Sequence, residues 1–159
     1  MLTIEIVCVG RLKERYWTEA CLEYCKRLTP WAKVRINELT EQRLVSDSDA
    51  QIEAVIAAEG ERILAALPQK AYVVALCVEG KRLTSPALAD TLSQAMLRGA
   101  SAVCFVIGGS YGLSPAVKER AQLRLSMSDL TFPHQLARVM LLEQIYRCMS
   151  LLSGGKYHK

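Results

Sequence analysis

From Leu2 to Val9 apolar and polar side chains alternate, and the run closes on Gly10, as a strand entering a loop does. Tyr16 to Arg27 then carries Trp17, Ala20, Cys21 and Tyr24 at the spacing of one helix face, so the opening reads β-α. Alternation returns over Lys33–Leu39 through Val34, Ile36 and Leu39. Ser46-Asp47-Ser48-Asp49 next offers caps to a helix with Ile52, Val55, Ile56, Ile63 and Leu64 on its apolar positions, and Gly60 weakens that helix without ending it. Ala71–Val78 and Ala102–Ile107 are different: short, nearly unbroken apolar runs separated by a helical segment from Ser85 to Arg98. Such runs mark strands covered on both faces, so the pattern predicts an α/β fold with a parallel sheet between helices. Ser114-Pro115 places a cap before a proline at the first position of a short helix, and Leu123–Met127 supplies another brief strand.

The last helix is predicted from about Phe132 to Leu152. Its apolar residues, among them Leu136, Val139, Met140, Leu141, Leu142, Ile145, Tyr146 and Met149, occupy most of the circumference. One sheet buries only one stripe of a helix, so the excess predicts a second cover, the same helix of another subunit in a homodimer. Glu143 and Arg147 are spaced for a helical ion pair, by default a modest surface contact.

The chain's 159 residues suit one domain spanning 1–159, and its 51% hydrophobic and 23% charged residues exclude disorder and a coiled-coil rod. The opening residues lack the basic and continuous apolar regions of a signal peptide, and no apolar run reaches about 18 residues, so a cytosolic protein without a membrane segment is expected. None of the six cysteines forms a C-x-x-C pair and most sit among Val, Leu and Ile, which reads as core packing in a reducing compartment. Cys21 and Cys25 would share a helix face, but with no histidine nearby they make a poor metal site, and no metal is expected. The net charge of +4 is unevenly placed: from Ala116 onward seven Lys/Arg face three acids, and the preceding segment balances. The excess in the last quarter is where a phosphate-rich partner would be met.

Familiar motifs fail. The first strand ends on a lone Gly10 and Gly108-Gly109-Ser110-Tyr111-Gly112 has the wrong spacing for a dinucleotide fingerprint. Around Gly80-Lys81, Arg82 stands where a P-loop needs Ser or Thr, and Ala75 replaces the first glycine. His134 and His158, the only histidines, are too far apart for H-E-x-x-H, and no G-x-S-x-G elbow exists.

Three segments remain. The glycine-rich loop Gly108–Pro115 runs from an apolar strand into a helix, either a ligand cradle at a strand's carboxyl end or a tight β-α turn. Leu125–His134 joins the last strand to the last helix, with backbone groups suited to an adenine or an amino-acid moiety, or simply to a helix start. The tail Gly154-Gly155-Lys156-Tyr157-His158-Lys159 has two glycines that would let an aromatic and a histidine swing away from the helix, although tails usually fray.

Val9-Gly10-Arg11-Leu12-Lys13-Glu14-Arg15-Tyr16-Trp17, Phe105-Val106-Ile107-Gly108-Gly109-Ser110 with Gly112-Leu113, Thr131-Phe132-Pro133-His134-Gln135 with Arg138-Val139, and Tyr157-His158-Lys159 together resemble, over essentially the whole chain, the small SPOUT methyltransferases of the ribosomal large subunit methyltransferase H family. Lys159 takes a place where some relatives carry arginine, keeping charge but losing bidentate phosphate contact. The resemblance implies an α/β/α SPOUT fold with a C-terminal trefoil knot, a homodimer, and methylation by S-adenosylmethionine of N3 of a pseudouridine in helix 69 of 23S rRNA on the assembled 70S ribosome. It further implies that Leu76, Gly108 and the segment Met127, Ser128, Asp129, Leu130, Thr131 and Phe132 hold the cofactor. Because an imide nitrogen must lose its proton before it attacks, His158 is a candidate base, with Tyr157 and Arg138 as candidates for substrate positioning and Lys159 for anion or phosphate contact. His134 reads as structural or as part of the cofactor wall. A tRNA-directed SPOUT enzyme and a non-catalytic ribosome-binding factor are the competing expectations.

Overall fold

The computed structural model describes residues 1–159. Strands and helices alternate throughout: β1 (Leu2–Val9), α1 (Arg15–Leu28), β2 (Ala32–Leu39), α2 (Asp49–Ala66), β3 (Ala71–Arg82), α3 (Ser85–Leu97), β4 (Ala102–Ile107), α4 (Pro115–Arg120), β5 (Leu123–Ser126) and α5 (His134–Leu152). The strands form one sheet in the order β2-β1-β4-β3-β5, and every pairing is parallel. Each helix returns the chain to the edge from which the next strand starts, which is what parallel pairing requires. All five carboxyl ends therefore emerge at one edge.

The strand side chains divide between two helical layers. Ile4, Ile6, Cys8, Val74, Val103 and Phe105 belong to a core shared with α1, α3 and α5, whereas Val7, Val9, Val73, Ala75 and Val106 pack with Ile63 of α2 and Val117 of α4. The double cover accounts for the apolar runs, since all of β4 and Val73 to Ala75 are buried. Local signals act as expected: the Ser48 hydroxyl accepts from Gln51 N–H at 3.3 Å to cap α2, and Ser114 does the same for Val117 N–H at α4. No helix is long and apolar enough to cross a membrane.

Two boundaries differ by two residues or more from the pattern reading, and the cover of α5 differs as well. β3 runs on to Arg82 rather than Val78, because after Leu76 its chain bulges away from β5 and rejoins it at Lys81. α5 begins at His134, two residues late, since Pro133 takes the cap position and residues 131–133 remain extended. The apolar circumference of α5 is also shared out within the chain: α1 and α3 flank it on either side, so a second subunit is not needed to cover most of it. Leu136, Val139, Met140 and Tyr146 stay half-buried.

Candidate active site

A cavity of about 850 Å³ opens where β3, β4 and β5 end and α5 begins. Of the eight residues expected to hold a cofactor, seven line it: Leu76, Gly108, Met127, Ser128, Leu130, Thr131 and Phe132. Asp129 does not. Its carboxylate turns outward to Arg82 Nη1 at 2.6 Å, an exposed ion pair, so this side chain lies outside the cavity lined by its neighbours Ser128 and Leu130.

Short-range bonds shape each wall. Ser126 Oγ donates to the Ser128 carbonyl at 3.0 Å and Ser128 Oγ accepts from Leu130 N–H at 3.0 Å, so the turn after β5 is held by its own serines. Opposite it, Gly112 adopts φ +87° and donates its N–H to the Gly109 carbonyl at 3.1 Å, which closes the glycine-rich loop. A Cβ on Gly108 would stand 2.9 Å from Leu113 Cδ2 and 3.1 Å from the Gly112 carbonyl carbon, so the loop can fold tightly only with glycine there.

Several lining residues escaped the pattern reading. Cys77, Val78 and Glu79 enter because of the β3 bulge, which no periodicity announces, and Lys118 enters from α4. Lys118 is ion-paired with Glu79, and that bond holds the Glu79 carboxyl below the usual carboxylate range. Burial pushes the Cys77 thiol up. His134 also lines the cavity, with Cε1 3.2 Å from where a Cβ on Gly10 would stand, so the β1–α1 loop abuts the first turn of α5.

Arg138, one turn further along α5, is 2% exposed. Its Nη1 donates to Glu38 Oε2 at 2.7 Å and its Nη2 to the Gly10 carbonyl at 3.2 Å, while Nε finds no partner. This corrects its expected role: buried in the core, it cannot grip a phosphate or a deprotonated base, and instead it ties α5 to β2 and to the end of β1.

The tail lies elsewhere. Gly154 at φ +76° and Gly155, whose N–H donates to the Ser150 carbonyl at 2.7 Å, turn the chain back along α5 instead of letting it swing away. Tyr157 Oη donates to the Glu143 carboxylate at 3.0 Å, Arg147 Nε to the same group at 2.7 Å, and the Arg147 guanidinium lies 4.8 Å from the Tyr157 ring centre. His158 Nδ1 stands 3.4 Å from Arg147 Nη1, and because guanidinium only donates, this contact needs Nδ1 unprotonated. Tyr146 packs edge-on against Tyr157 at 4.7 Å and, tilted by 37°, against Trp31 at 5.6 Å. The Glu143–Arg147 pair is thus the base of a cluster that collects two of the three expected catalytic residues. From His134 to Arg147 the helix rises roughly 20 Å at about 1.5 Å per residue, so the cluster is remote from the cavity of its own chain.

A family model described as "Predicted SPOUT methyltransferase" matches residues 2–158. The chain belongs to this SPOUT methyltransferase family. It is 47% identical to the ribosomal RNA large subunit methyltransferase H of Bacillus pumilus (strain SAFR-032), over 99% of this chain and 100% of that protein. The protein of the same name from Streptococcus thermophilus (strain CNRZ 1066) is 45% identical, again over 99% of this chain and the whole relative. Among solved structures, a probable methylase family protein from Haemophilus influenzae Rd KW20 superposes with a TM-score of 0.52 over 98% of this chain and 70% of its own, at 12% identity, a likeness of fold alone. In this SPOUT chain the cavity and the tail cluster therefore sit at opposite ends of one helix.

Proposed function

We propose that this SPOUT methyltransferase transfers a methyl group from S-adenosylmethionine to N3 of a pseudouridine in helix 69 of 23S rRNA, acting as a cytoplasmic homodimer on the assembled 70S ribosome. One domain, residues 1–159, carries all the parts, with the C-terminal trefoil knot of the resemblance threaded through the cavity segment. The observation that carries the reading is the convergence of three separate strand ends and the start of α5 on one cavity, in a chain that matches rRNA methyltransferases along its full length.

The cavity suits the cofactor. Its volume lies within the usual range for small-molecule pockets, about 300–1,000 Å³. Its walls alternate Leu76, Leu125, Met127 and Phe132, suited to a nucleoside face, with serine, threonine and loop backbone groups that can orient polar atoms. When bound, S-adenosylmethionine supplies an already activated methyl group, so alignment and exclusion of water are the protein's main tasks. Leu76, Gly108, Met127, Ser128, Leu130, Thr131 and Phe132 would hold it.

Deprotonation and placement of the substrate base fall to the tail. Tyr157 and His158 stand too far from their own cavity to serve it, whereas an antiparallel pairing of two α5 helices brings the tail of one protomer to the cavity of its partner. The half-buried Leu136 and Met140 supply apolar surface for that pairing. In this arrangement His158, with Nδ1 released from Arg147, accepts the imide proton, Tyr157 and Arg147 orient the base, and Lys156 and Lys159 meet phosphate. Weak binding to naked RNA follows from the small charge excess, and salt-dependent binding to ribosomes from the Lys and Arg gathered in the last quarter of the chain.

The test is transfer of labelled methyl from S-adenosylmethionine to 70S ribosomes, isolated subunits, free rRNA and tRNA, each lacking the modification, followed by identification of the labelled nucleotide. Label on N3 of a pseudouridine in ribosomes is the expected result. Label confined to tRNA would select a tRNA-directed enzyme, and cofactor binding without transfer to any RNA would favour a non-catalytic factor.

A further inference from the structure

Beneath the glycine-rich loop lies a carboxylate that nothing in the packing of α2 requires. Glu59 is 4% exposed; its Oε2 accepts from Gln42 N–H at 3.0 Å, and its Oε1 has no partner. Burying a carboxylate with one oxygen unpaired costs free energy that an apolar side chain of similar size would avoid. Arg62 makes no ion pair with it: its guanidinium donates to the Thr40 carbonyl at 2.8 Å and Gln42 Oε1 at 2.6 Å, and its charge offsets burial only in part.

What Glu59 does touch is the loop. A Cβ on Gly109 would stand 2.8 Å from Glu59 Oε1 and 3.3 Å from Val9 Cγ1. Gly109 has no left-handed backbone that would call for glycine, unlike Gly112. Its lack of a side chain is therefore explained by the approach of the carboxylate. The next residue of α2 repeats the arrangement: Gly60, unfavourable inside a helix, leaves room for Ser114 Oγ, the cap of α4, where a Cβ would collide. Two consecutive residues of one helix thus support both ends of the loop that forms a cavity wall.

We propose that Glu59 is a positioning residue for the cofactor: its carboxylate braces the 108–114 loop from behind, through Gly109, and so sets how tightly the cavity holds S-adenosylmethionine. This rests on the reading that the cavity is the cofactor site. The titratable groups around Glu59 are Glu41 of the β2–α2 loop and Arg62 of α2, while β1 and the glycine-rich loop present only uncharged groups to it. Burial, the largest influence, raises the Glu59 carboxyl, with the Gln42 N–H opposing. A carboxyl raised on folding gains stability for the fold when it takes up a proton. Acidification therefore stabilises the apo-protein through this residue while weakening its brace on the loop, so the two effects have opposite signs.

Calorimetric titration of the intact protein with S-adenosylmethionine tests this in the wild type, Glu59→Gln and Glu59→Leu. We expect Glu59→Gln to weaken binding about tenfold and raise the cofactor KM alike, with kcat at saturation within about twofold. We also expect its melting temperature to be unchanged or raised at neutral pH. As pH is lowered from neutral through the carboxylate range, wild-type affinity should fall relative to Glu59→Gln while wild-type melting temperature rises relative to it. Gly109→Ala, which leaves Glu59 in place and presses on it, should also weaken binding about tenfold, and this covers a Glu59 variant that fails to fold. Wild-type affinity in both Glu59 variants across this pH range, or in Gly109→Ala, would overturn the proposal. Gly108→Val separates the two levels: if it too binds normally, the cavity is not the cofactor site, whereas its loss of binding beside intact Glu59 variants sinks only the bracing role.

Discussion

The two ends of α5 are built on opposite principles. At its start, His134 and the residues before it close a cavity whose walls come from three strand ends, glycine contacts and serine-held turns, all supplied by one chain. At its finish, Glu143, Arg147, Tyr157 and His158 form a half-buried cluster of charges and rings, bonded to one another and joined by Tyr24 of α1 at the Glu143 carboxylate. The first end is preorganised, as small-ligand binding demands. The second keeps its polar groups near water, where a large, charged partner can reach them. Separation by the length of a helix keeps the cavity and the cluster of one chain from meeting.

The sharpest way to break this comparison is Gly108→Val, which sets a branched side chain against Leu113 and Gly112. We expect S-adenosylmethionine binding to weaken at least about 100-fold by calorimetry, abolishing transfer while leaving the tail cluster untouched. Replacing Tyr157 and His158 together by alanine should do the reverse: transfer to ribosomes falls about 100-fold, with cofactor affinity within about twofold of wild type. Mixing the two variants into heterodimers should restore measurable transfer, because one site then unites an intact cavity with an intact tail; no recovery would argue against sharing between protomers. The smallest effect is on stability alone. Arg138→Met removes the bond to Glu38 and the bond to the Gly10 carbonyl, and we expect about 2–3 kcal/mol of destabilisation in urea at fixed protein concentration. Glu38 is 34% exposed and can recover water, which keeps the loss below that of a fully buried pair.

Much of this architecture was legible in the chain. The unbroken apolar runs at β3 and β4 announced strands buried on both faces, and Ser48, Ser114 and Pro115 marked helix starts where they occur. The segments around Gly108 and Met127 to Phe132 were legible as candidate ligand loops from their glycine, serine and proline at strand ends, whereas Leu76 rested on the resemblance alone, and the fold brings all but Asp129 to one cavity. Arg138 misled for a physical reason: a charged residue on an apolar helix reads as a functional group when its partner, a hundred residues away on β2, cannot be seen. The β3 bulge was missed because it shows only as a register shift against β5, where Gly80 lets the Arg124 backbone approach.

Local chemistry determined by itself where strands and helices form, that the sheet is parallel and doubly covered, and which loops carry glycine, serine and proline for a purpose. These depend on side-chain periodicity and backbone preference, which act within a few residues. Only the tertiary structure decided that α1 and α3 would cover α5, that Asp129 would face Arg82, that Glu59 would lie unpaired beneath Gly109, and that the tail would fold back roughly 20 Å from its own cavity. Each of those outcomes depends on which distant segments share a surface, and that is settled by packing and by the pairing of buried charge rather than by any preference of a single stretch.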